Sequence, residues 1–277
     1  AWWLVERATH RVNQGRFELQ STRLAGLIRA RFDTTAQILY GARAHFAASE
    51  QVTVREWSVY FNSIQERFDY GVVGLGYVER VRRADLAAFE ARIRAEGAPD
   101  FRAERVGEKE WLYVVTSIEP REHNSGVVGL DLGSGTTRRT AAETAARQND
   151  LALSRRIKLK YDGQDVPGFL LFLPVYANDA HLDTEEQRMA ALRGWVYAPI
   201  RIDELLANAS EVAAVHLDFE VYEGDTASPD HLLYDEDGHQ FAQKSGAAEP
   251  RQFTLAYPLE VYGQRWTLQT SEKPGFL

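Results

Sequence analysis

The stretch that decides the fold is Pro167-Gly168-Phe169-Leu170-Leu171-Phe172-Leu173-Pro174-Val175-Tyr176. A continuous apolar run bounded by glycine and proline predicts a central strand that is buried on both faces. Shorter apolar runs predict further strands at residues 72–78, 111–118 and 194–198. Helical periodicity between these strands, as at residues 85–95, predicts an α+β fold and does not favour a regular βαβ array.

The N-terminal part is predicted to be one long helix. Residues 6–48 contain no proline and carry apolar side chains at spacings of three, four and seven: Phe17, Leu24, Leu27, Ile28, Phe32, Ile38 and Leu39. This spacing predicts an amphipathic helix of up to about ten turns. Because the apolar stripe of such a helix needs cover, we interpret it as a packed stalk. A second, shorter helix is predicted at residues 53–68.

The C-terminal part is predicted to hold a smaller sheet. Asp203 is placed to cap a short helix, and residues 212–222 alternate between apolar and polar side chains, which predicts a strand. Residues 253–261 and 266–270 flank a turn around Tyr262-Gly263, which predicts a hairpin.

Composition excludes several classes of protein. The 277 residues suit one large domain or two modules, and 44% hydrophobic with 26% charged residues is typical of a folded chain. No cysteine is present, which excludes disulfide scaffolds, thiolate nucleophiles and Cys-ligated metals. A net charge of -8 argues against nucleic-acid binding. The sequence has no membrane-spanning run and no signal peptide, but the opening Trp2-Trp3 is typical of a membrane boundary or of an apolar helix start.

The catalytic and metal motifs are weak. His216, Asp218 and Glu220 alternate on a predicted strand, where they form either a metal site or, as we interpret them, a solvated polar face. Residues 133–139 are similar to a phosphate-binding loop but lack the GxxxxGK[ST] order and the spacing of a Rossmann motif, and we interpret them as a turn before a helix. Neither GxSxG nor HExxH occurs. We therefore predict no catalytic residue, no metal and no cofactor.

Asp131 has two open roles. It follows the apolar residues 127–130 and precedes an Arg- and Ala-rich helical segment. Its carboxylate is placed either to cap that helix, which the local pattern favours, or to anchor an N–H group of a ligand in a cavity.

These segments, in this order and spacing, resemble the CHASE domain, the extracytoplasmic sensor of plant cytokinin receptors and of many bacterial transmembrane signalling proteins. The motifs that carry the resemblance are Gly76-Tyr77-Val78-Glu79-Arg80-Val81, Ile118-Glu119-Pro120, Gly129-Leu130-Asp131, the helix with Arg139, Ala142 and Ala146, the stretch at 167–176, Gly194-Trp195-Val196-Tyr197, Arg201-Ile202-Asp203-Glu204-Leu205-Leu206 and Tyr262-Gly263-Gln264-Arg265-Trp266-Thr267-Leu268. They cover most of the chain after residue 60.

The resemblance implies a long stalk helix followed by two PAS-like subdomains with antiparallel sheets. Its domains would be a stalk and following helix at 1–65, a membrane-distal ligand-binding subdomain at 66–200 and a membrane-proximal subdomain at 201–277. The fragment would lie in the periplasm between two transmembrane helices of an inner-membrane protein, dimerise through its N-terminal helix, and control a cytoplasmic histidine kinase or diguanylate cyclase. This placement would account for Trp2-Trp3 at the start and Phe276-Leu277 at the end.

The resemblance also implies a binding site. Asp131 matches the aspartate with which cytokinin-binding members hold an adenine-type ring. Alignment to family strands places Tyr113, Val115, Leu159, Phe172 and Tyr197 in the pocket wall. Phe172 and Tyr197 stand where those members have a threonine and a glycine, and the added bulk makes an adenine-like ligand doubtful.

The predicted function is the ligand-sensing ectodomain of a bacterial transmembrane receptor, which is not itself an enzyme. Two alternatives stay open. One is a secreted or periplasmic hydrolase that uses Asp131 and Glu119. The other is a ligand-free dimerisation or interaction module whose pocket is packed shut by Phe172 and Tyr197.

Overall fold

The computed structural model describes residues 2–68, 71–238 and 253–273, with side chains from His10 onwards. The side chains of Trp2 and Trp3, and Phe276-Leu277, lie outside the described residues. The helices are α1 (Trp2–Ala47), α2 (Val54–Ile64), α3 (Leu86–Ala95), α4 (Arg121–Asn124), α5 (Thr136–Gln148), α6 (Glu185–Ala191), α7 (Ile202–Leu206) and α8 (Ala209–Val212). The strands are β1 (Leu75–Arg82), β2 (Trp111–Glu119), β3 (Ala152–Leu153), β4 (Ile157–Tyr161), β5 (Gln164–Tyr176), β6 (Leu192–Ile200), β7 (Leu217–Glu223), β8 (Leu232–Asp235), β9 (Thr254–Val261) and β10 (Gln264–Glu272). Within the part of the chain that the structure describes, no helix is both long and apolar enough to cross a lipid bilayer.

The chain forms two compact units. One consists of Thr34–Leu205, and the other of the described residues up to Asp33 and from Leu206 onwards. The long helix α1 therefore contributes residues to both units.

The larger unit is built on a six-stranded antiparallel sheet. Its strand order is β2-β1-β6-β5-β3, and β4 forms a hairpin with β5. The stretch at 167–176 lies within β5, which pairs with β6 from Phe169 opposite Ile200 to Tyr176 opposite Leu192. Phe169 through Val175 are buried, so the predicted central strand with two buried faces is confirmed.

Helices cover both faces of this sheet. On one face, α5 packs its small side chains against Val78, Val115, Phe172 and Trp195. These small residues are Ala141, Ala142, Ala145 and Ala146. On the other face, Leu86, Phe89 and Ile93 of α3 pack against Val81, Leu112 and Val114 of β1 and β2. The alternation of side chains along each strand separates the two cores.

Helix α2 begins where the sequence predicts it. The Thr53 hydroxyl accepts a hydrogen bond from the Glu56 backbone N–H at 3.2 Å, and the Glu56 carboxylate accepts one from the Thr53 N–H at 2.8 Å. This capping box satisfies two amides that the first helical turn leaves without partners. Trp57 and Phe61 on the same helix are buried.

The smaller unit places the first part of α1 against a four-stranded antiparallel sheet of order β8-β7-β10-β9. Phe32 contacts Trp266 edge-to-face at 5.6 Å, and the Ser21 and Thr270 hydroxyls are hydrogen-bonded at 2.8 Å. Leu24 and Ile28 are fully buried. The apolar stripe of α1 is thus covered, and the predicted hairpin is present as β9 and β10.

The polar face predicted for the strand at 212–222 is wrong in part. The strand begins at Leu217, because residues 209–212 form α8, and His216 is exposed. Asp218 and Glu220 are buried at 0% and 1% exposure, since both faces of the central strand β7 are covered. Among the residues described, no group of three or more His, Asp or Glu side chains is arranged to hold a metal ion.

Candidate ligand-binding site

Asp131 is tied to strand β2 by backbone pairing. The chain leaves β2 at Glu119 and returns alongside it, where the Gly129 N–H donates to the Val115 carbonyl at 2.8 Å and the Val115 N–H donates to the Leu130 carbonyl at 3.0 Å. Asp131 itself forms a β-bridge with Val114. The strand therefore fixes the position of this carboxylate at the edge of the sheet, just before α5.

One carboxylate oxygen of Asp131 is fully used by the backbone. Its Oδ1 accepts hydrogen bonds from the Tyr113 N–H and the Gly133 N–H, both at 2.8 Å, and the residue is 3% exposed. The bond to Gly133 caps the short 3-10 turn Leu132–Ser134. Helix α5 has Gly135 at its N-cap, without a side-chain cap. Oδ2 accepts no hydrogen bond from any residue that the structure describes.

The five predicted wall residues lie together on the sheet face beneath α5. Tyr113 and Val115 come from β2, Leu159 from β4, Phe172 from β5 and Tyr197 from β6, and none is more than 5% exposed. The rings of Phe172 and Tyr197 are stacked at 6.0 Å. The five residues therefore belong to one buried cluster, whose side chains fill the space between the sheet and α5. Their role as the wall of a ligand pocket stays a prediction.

Glu119 does not join Asp131. Asp131 bridges to Val114, and Glu119 lies five residues further along the same strand. At about 3.3 Å per strand residue, the two backbone positions are about 17 Å apart. Catalytic carboxylate pairs in glycoside hydrolases stand only about 5–9.5 Å apart. The arrangement does not support an acid–base pair made of these two residues.

A family model of the CHASE domain matches residues 50–234, which is more than half of the chain. The chain belongs to the CHASE domain family. CHASE domains are extracytoplasmic ligand-sensing domains of receptors, and the predicted family and sensor class are therefore confirmed. No curated protein gives a match.

Solved sensory domains share the fold of this CHASE domain. An extracellular ligand binding receptor from Desulfohalobium retbaense DSM5692 matches with a TM-score of 0.59 and 14% identity, over 93% of this chain and 40% of that receptor. The ligand-binding domain of the amino acid chemoreceptor PctC of Pseudomonas aeruginosa PAO1, solved in complex with GABA, matches with a TM-score of 0.52 and 11% identity, over 95% and 99% of the two chains. The periplasmic sensory domain of the Campylobacter jejuni chemoreceptor Tlp1 matches with a TM-score of 0.51 and 10% identity, over 98% of this chain and 96% of that domain. At these identities the likeness shows the fold alone, which confirms the predicted α+β class with PAS-like antiparallel sheets.

A polar network that the sequence analysis missed joins β2 to α5 in this CHASE domain. The Tyr113 hydroxyl donates to the Glu143 carboxylate at 2.9 Å, and Arg139 donates to the same oxygen at 3.2 Å. Arg139 also donates to the Trp111 carbonyl at 2.6 Å and lies over the Tyr113 ring at 4.1 Å. Burial raises the pKa of Tyr113, so its hydroxyl stays protonated. The signal was present as the i, i+4 spacing of Arg139, Glu143 and Arg147 on α5.

Proposed function

We propose that this CHASE domain senses a small molecule in its membrane-distal PAS-like subdomain, residues 66–200, with Asp131 as the polar anchor. Tyr113, Val115, Leu159, Phe172 and Tyr197 would form the wall. The full-length protein would be an inner-membrane receptor, with this domain in the periplasm and a histidine kinase or diguanylate cyclase as its cytoplasmic output. The proximal subdomain, residues 201–277, and the stalk, residues 1–65, would pass the signal on.

The observation that carries this proposal is the second oxygen of Asp131. A buried carboxylate is costly unless its oxygens accept hydrogen bonds or reach water. Oδ1 accepts two from the backbone, while Oδ2 accepts none from the described residues and is not among the fully buried atoms without a partner, so it is open to a donor from a ligand. A ligand with an N–H group, such as an amine, an amino acid or a heterocycle, supplies the missing donor. An adenine-type ligand is the least favoured of these, because the stacked rings of Phe172 and Tyr197 fill part of the proposed wall.

The packed cluster suggests how a ligand would act. Because the side chains of this cluster fill the space beneath α5, a ligand that enters it would bind preferentially to an opened state. A ligand shifts such an equilibrium only by its difference in affinity for the two states, and a tenfold shift corresponds to about 1.4 kcal/mol. Binding would thus favour one arrangement of the stalk over another.

Thermal unfolding in the presence of small metabolites tests the site. Amino acids, amines and purines are screened at high concentration, and a ligand at one hundred times its Kd is expected to raise the free energy of unfolding by about 2.7 kcal/mol. The matched variant is Asp131→Asn, which keeps an oxygen for the Tyr113 and Gly133 amides but removes the charge. Asp131→Ala removes both the charge and the acceptor. It leaves the Tyr113 and Gly133 N–H groups unpaired, which costs about 1–3 kcal/mol each.

We expect both variants to lose the ligand response, and Asp131→Asn to keep most of the stability of the free domain. A wild-type response that survives unchanged in Asp131→Asn would contradict the anchoring role. A complete lack of response across the screen would favour the interaction-module alternative.

Dimerisation through α1 is a second part of the proposal. Val12 and Leu19 lie seven residues apart on this helix and are 69% and 63% exposed. Apolar residues at a spacing of seven form one face of a helix, as in coiled-coil seams. We expect the wild-type domain to sediment as a dimer and Val12→Lys with Leu19→Lys to sediment as a monomer. The control Val59→Lys changes an equally exposed apolar residue of α2 and should stay dimeric. A wild-type monomer at every concentration would be evidence against the interface.

A further inference from the structure

A cavity lies on the face of the six-stranded sheet that is opposite to α5. It has a volume of about 400 Å³, and its walls come from the end of α1, the following loop, β1, α3 and the start of β6. The residues that line it include Phe46, Val52, Tyr77, Glu79, Arg92 and Arg193. Tyr77 and Glu79 flank Val78 on β1, and Val78 belongs to the core under α5. Because side chains alternate along a strand, Tyr77 and Glu79 face away from the cluster beneath α5.

The floor of the cavity is aromatic. The Tyr77 ring lies 4.2 Å from the Phe46 ring, and the Tyr77 hydroxyl lies over Gly194, where an added Cβ would be 3.0 Å from it. No described residue forms a hydrogen bond with this hydroxyl. Burial raises the pKa of Tyr77, so the group is a neutral donor within a cavity of a size typical for small ligands.

The residues that line the cavity carry an excess of positive charge, because Arg80, Arg92 and Arg193 outnumber Glu79. Arg80 donates to the Met189 carbonyl at 2.9 Å and lies over the Trp111 ring at 3.7 Å. Arg92 donates to both oxygens of Glu79, at 2.6 and 2.7 Å, and to Glu96 at 2.8 Å, so its charge is fully matched. Arg193 has a different environment: within the described residues, its guanidinium donates once, to the Glu50 carbonyl at 3.2 Å. Its charge also lies close enough to Tyr77 and Glu79 to act on both groups.

We propose that this cavity is a binding site for a small organic carboxylate, held by the Arg193 guanidinium and the Tyr77 hydroxyl. Guanidinium N–H groups match the planar carboxylate in pairs, and Arg193 has such groups to spare. The Phe46 ring and Val52 supply an apolar wall for the carbon skeleton of the ligand. An inorganic oxyanion has no carbon skeleton and would leave this wall without a contact. The ligand would touch Phe46 near the end of α1, so the site would give the stalk helix an input independent of Asp131.

Isothermal titration of the domain with benzoate and hexanoate tests this site, with benzamide as the neutral analogue of benzoate. We expect the carboxylates to bind and benzamide to bind at least tenfold more weakly. Arg193→Gln should weaken carboxylate binding at least tenfold. Tyr77→Phe keeps the ring and removes only the hydroxyl, and it should weaken binding threefold to tenfold.

Two controls separate this site from its alternatives. Arg102→Gln removes the same charge from an exposed arginine and should leave the carboxylate affinity unchanged. Asp131→Asn should also bind as the wild type does, whether or not the Asp131 site functions. The proposal is overturned if neither carboxylate binds, if Arg102→Gln weakens binding as much as Arg193→Gln, or if Asp131→Asn abolishes binding. Should Arg193→Gln fail to fold, an undiminished affinity of Tyr77→Phe overturns it equally.

Discussion

Replacing Trp195 with alanine is expected to lower the free energy of unfolding by about 4–5 kcal/mol. Trp195 is fully buried on β6, where its ring lies 4.5 Å from that of Tyr113. Its indole N–H donates to the Ala142 carbonyl of α5 at 2.7 Å. Truncation of a buried aromatic residue leaves a cavity at a cost of about 3–5 kcal/mol, and the loss of the indole hydrogen bond adds about 1 kcal/mol. Urea unfolding followed by circular dichroism measures the change.

Trp195→Phe separates the two contributions of the indole. It keeps an aromatic ring in the core but removes the donor to Ala142, so we expect a loss of about 1–2 kcal/mol. Trp111→Ala is the surface comparison, because Trp111 is only partly buried and stacks under Arg80 at 3.7 Å. A loss below about 2 kcal/mol for Trp195→Ala would show that α5 is not packed tightly on the sheet, and would leave room for a ligand there.

The parts of the fold that could be predicted depend on local patterns. The run in β5 is so apolar that only burial on both faces explains it, and α1 carries its stripe over many turns. The local pattern favoured Asp131 as the cap of α5, which is wrong, because Gly135 is the N-cap of that helix. The Asp131 carboxylate instead caps the 3-10 turn Leu132–Ser134 and accepts from the Tyr113 amide of β2. Local patterns thus predict elements and their faces.

The rest depends on contacts between residues that are distant in the sequence. The alternation at 212–222 could not show that β7 is covered on both faces, since that cover comes from elsewhere in the chain. The cavity of Tyr77 and Arg193 is likewise formed by residues more than one hundred positions apart. Each of these residues is unremarkable in its own segment, so no local signal identifies the site.

Replacing Gly76 with alanine is expected to cost about 3 kcal/mol. Gly76 lies opposite Tyr197 in the pairing of β1 with β6, and the Tyr197 ring lies across it. An added Cβ would be 2.3 Å from Tyr197 Cε1 and 2.8 Å from the Ser117 carbonyl oxygen. Overpacking a core by one methyl group costs about 1–3 kcal/mol, and here the backbone oxygen cannot move without breaking the sheet. Gly126→Ala, with nothing within 4 Å, is the control and should be nearly neutral.

A double-mutant cycle with Tyr197→Ala connects this clash to the binding site. Tyr197→Ala alone should cost about 3–5 kcal/mol through the cavity it leaves. Because it also removes the ring that Gly76→Ala collides with, the double variant should be more stable than the sum of the two losses by about 1–3 kcal/mol. Strict additivity would mean that Tyr197 already leaves this position in solution. That result would support an opened state of the cluster beneath α5, whereas strong coupling would mean that a ligand must displace the Tyr197 ring at a measurable cost in free energy.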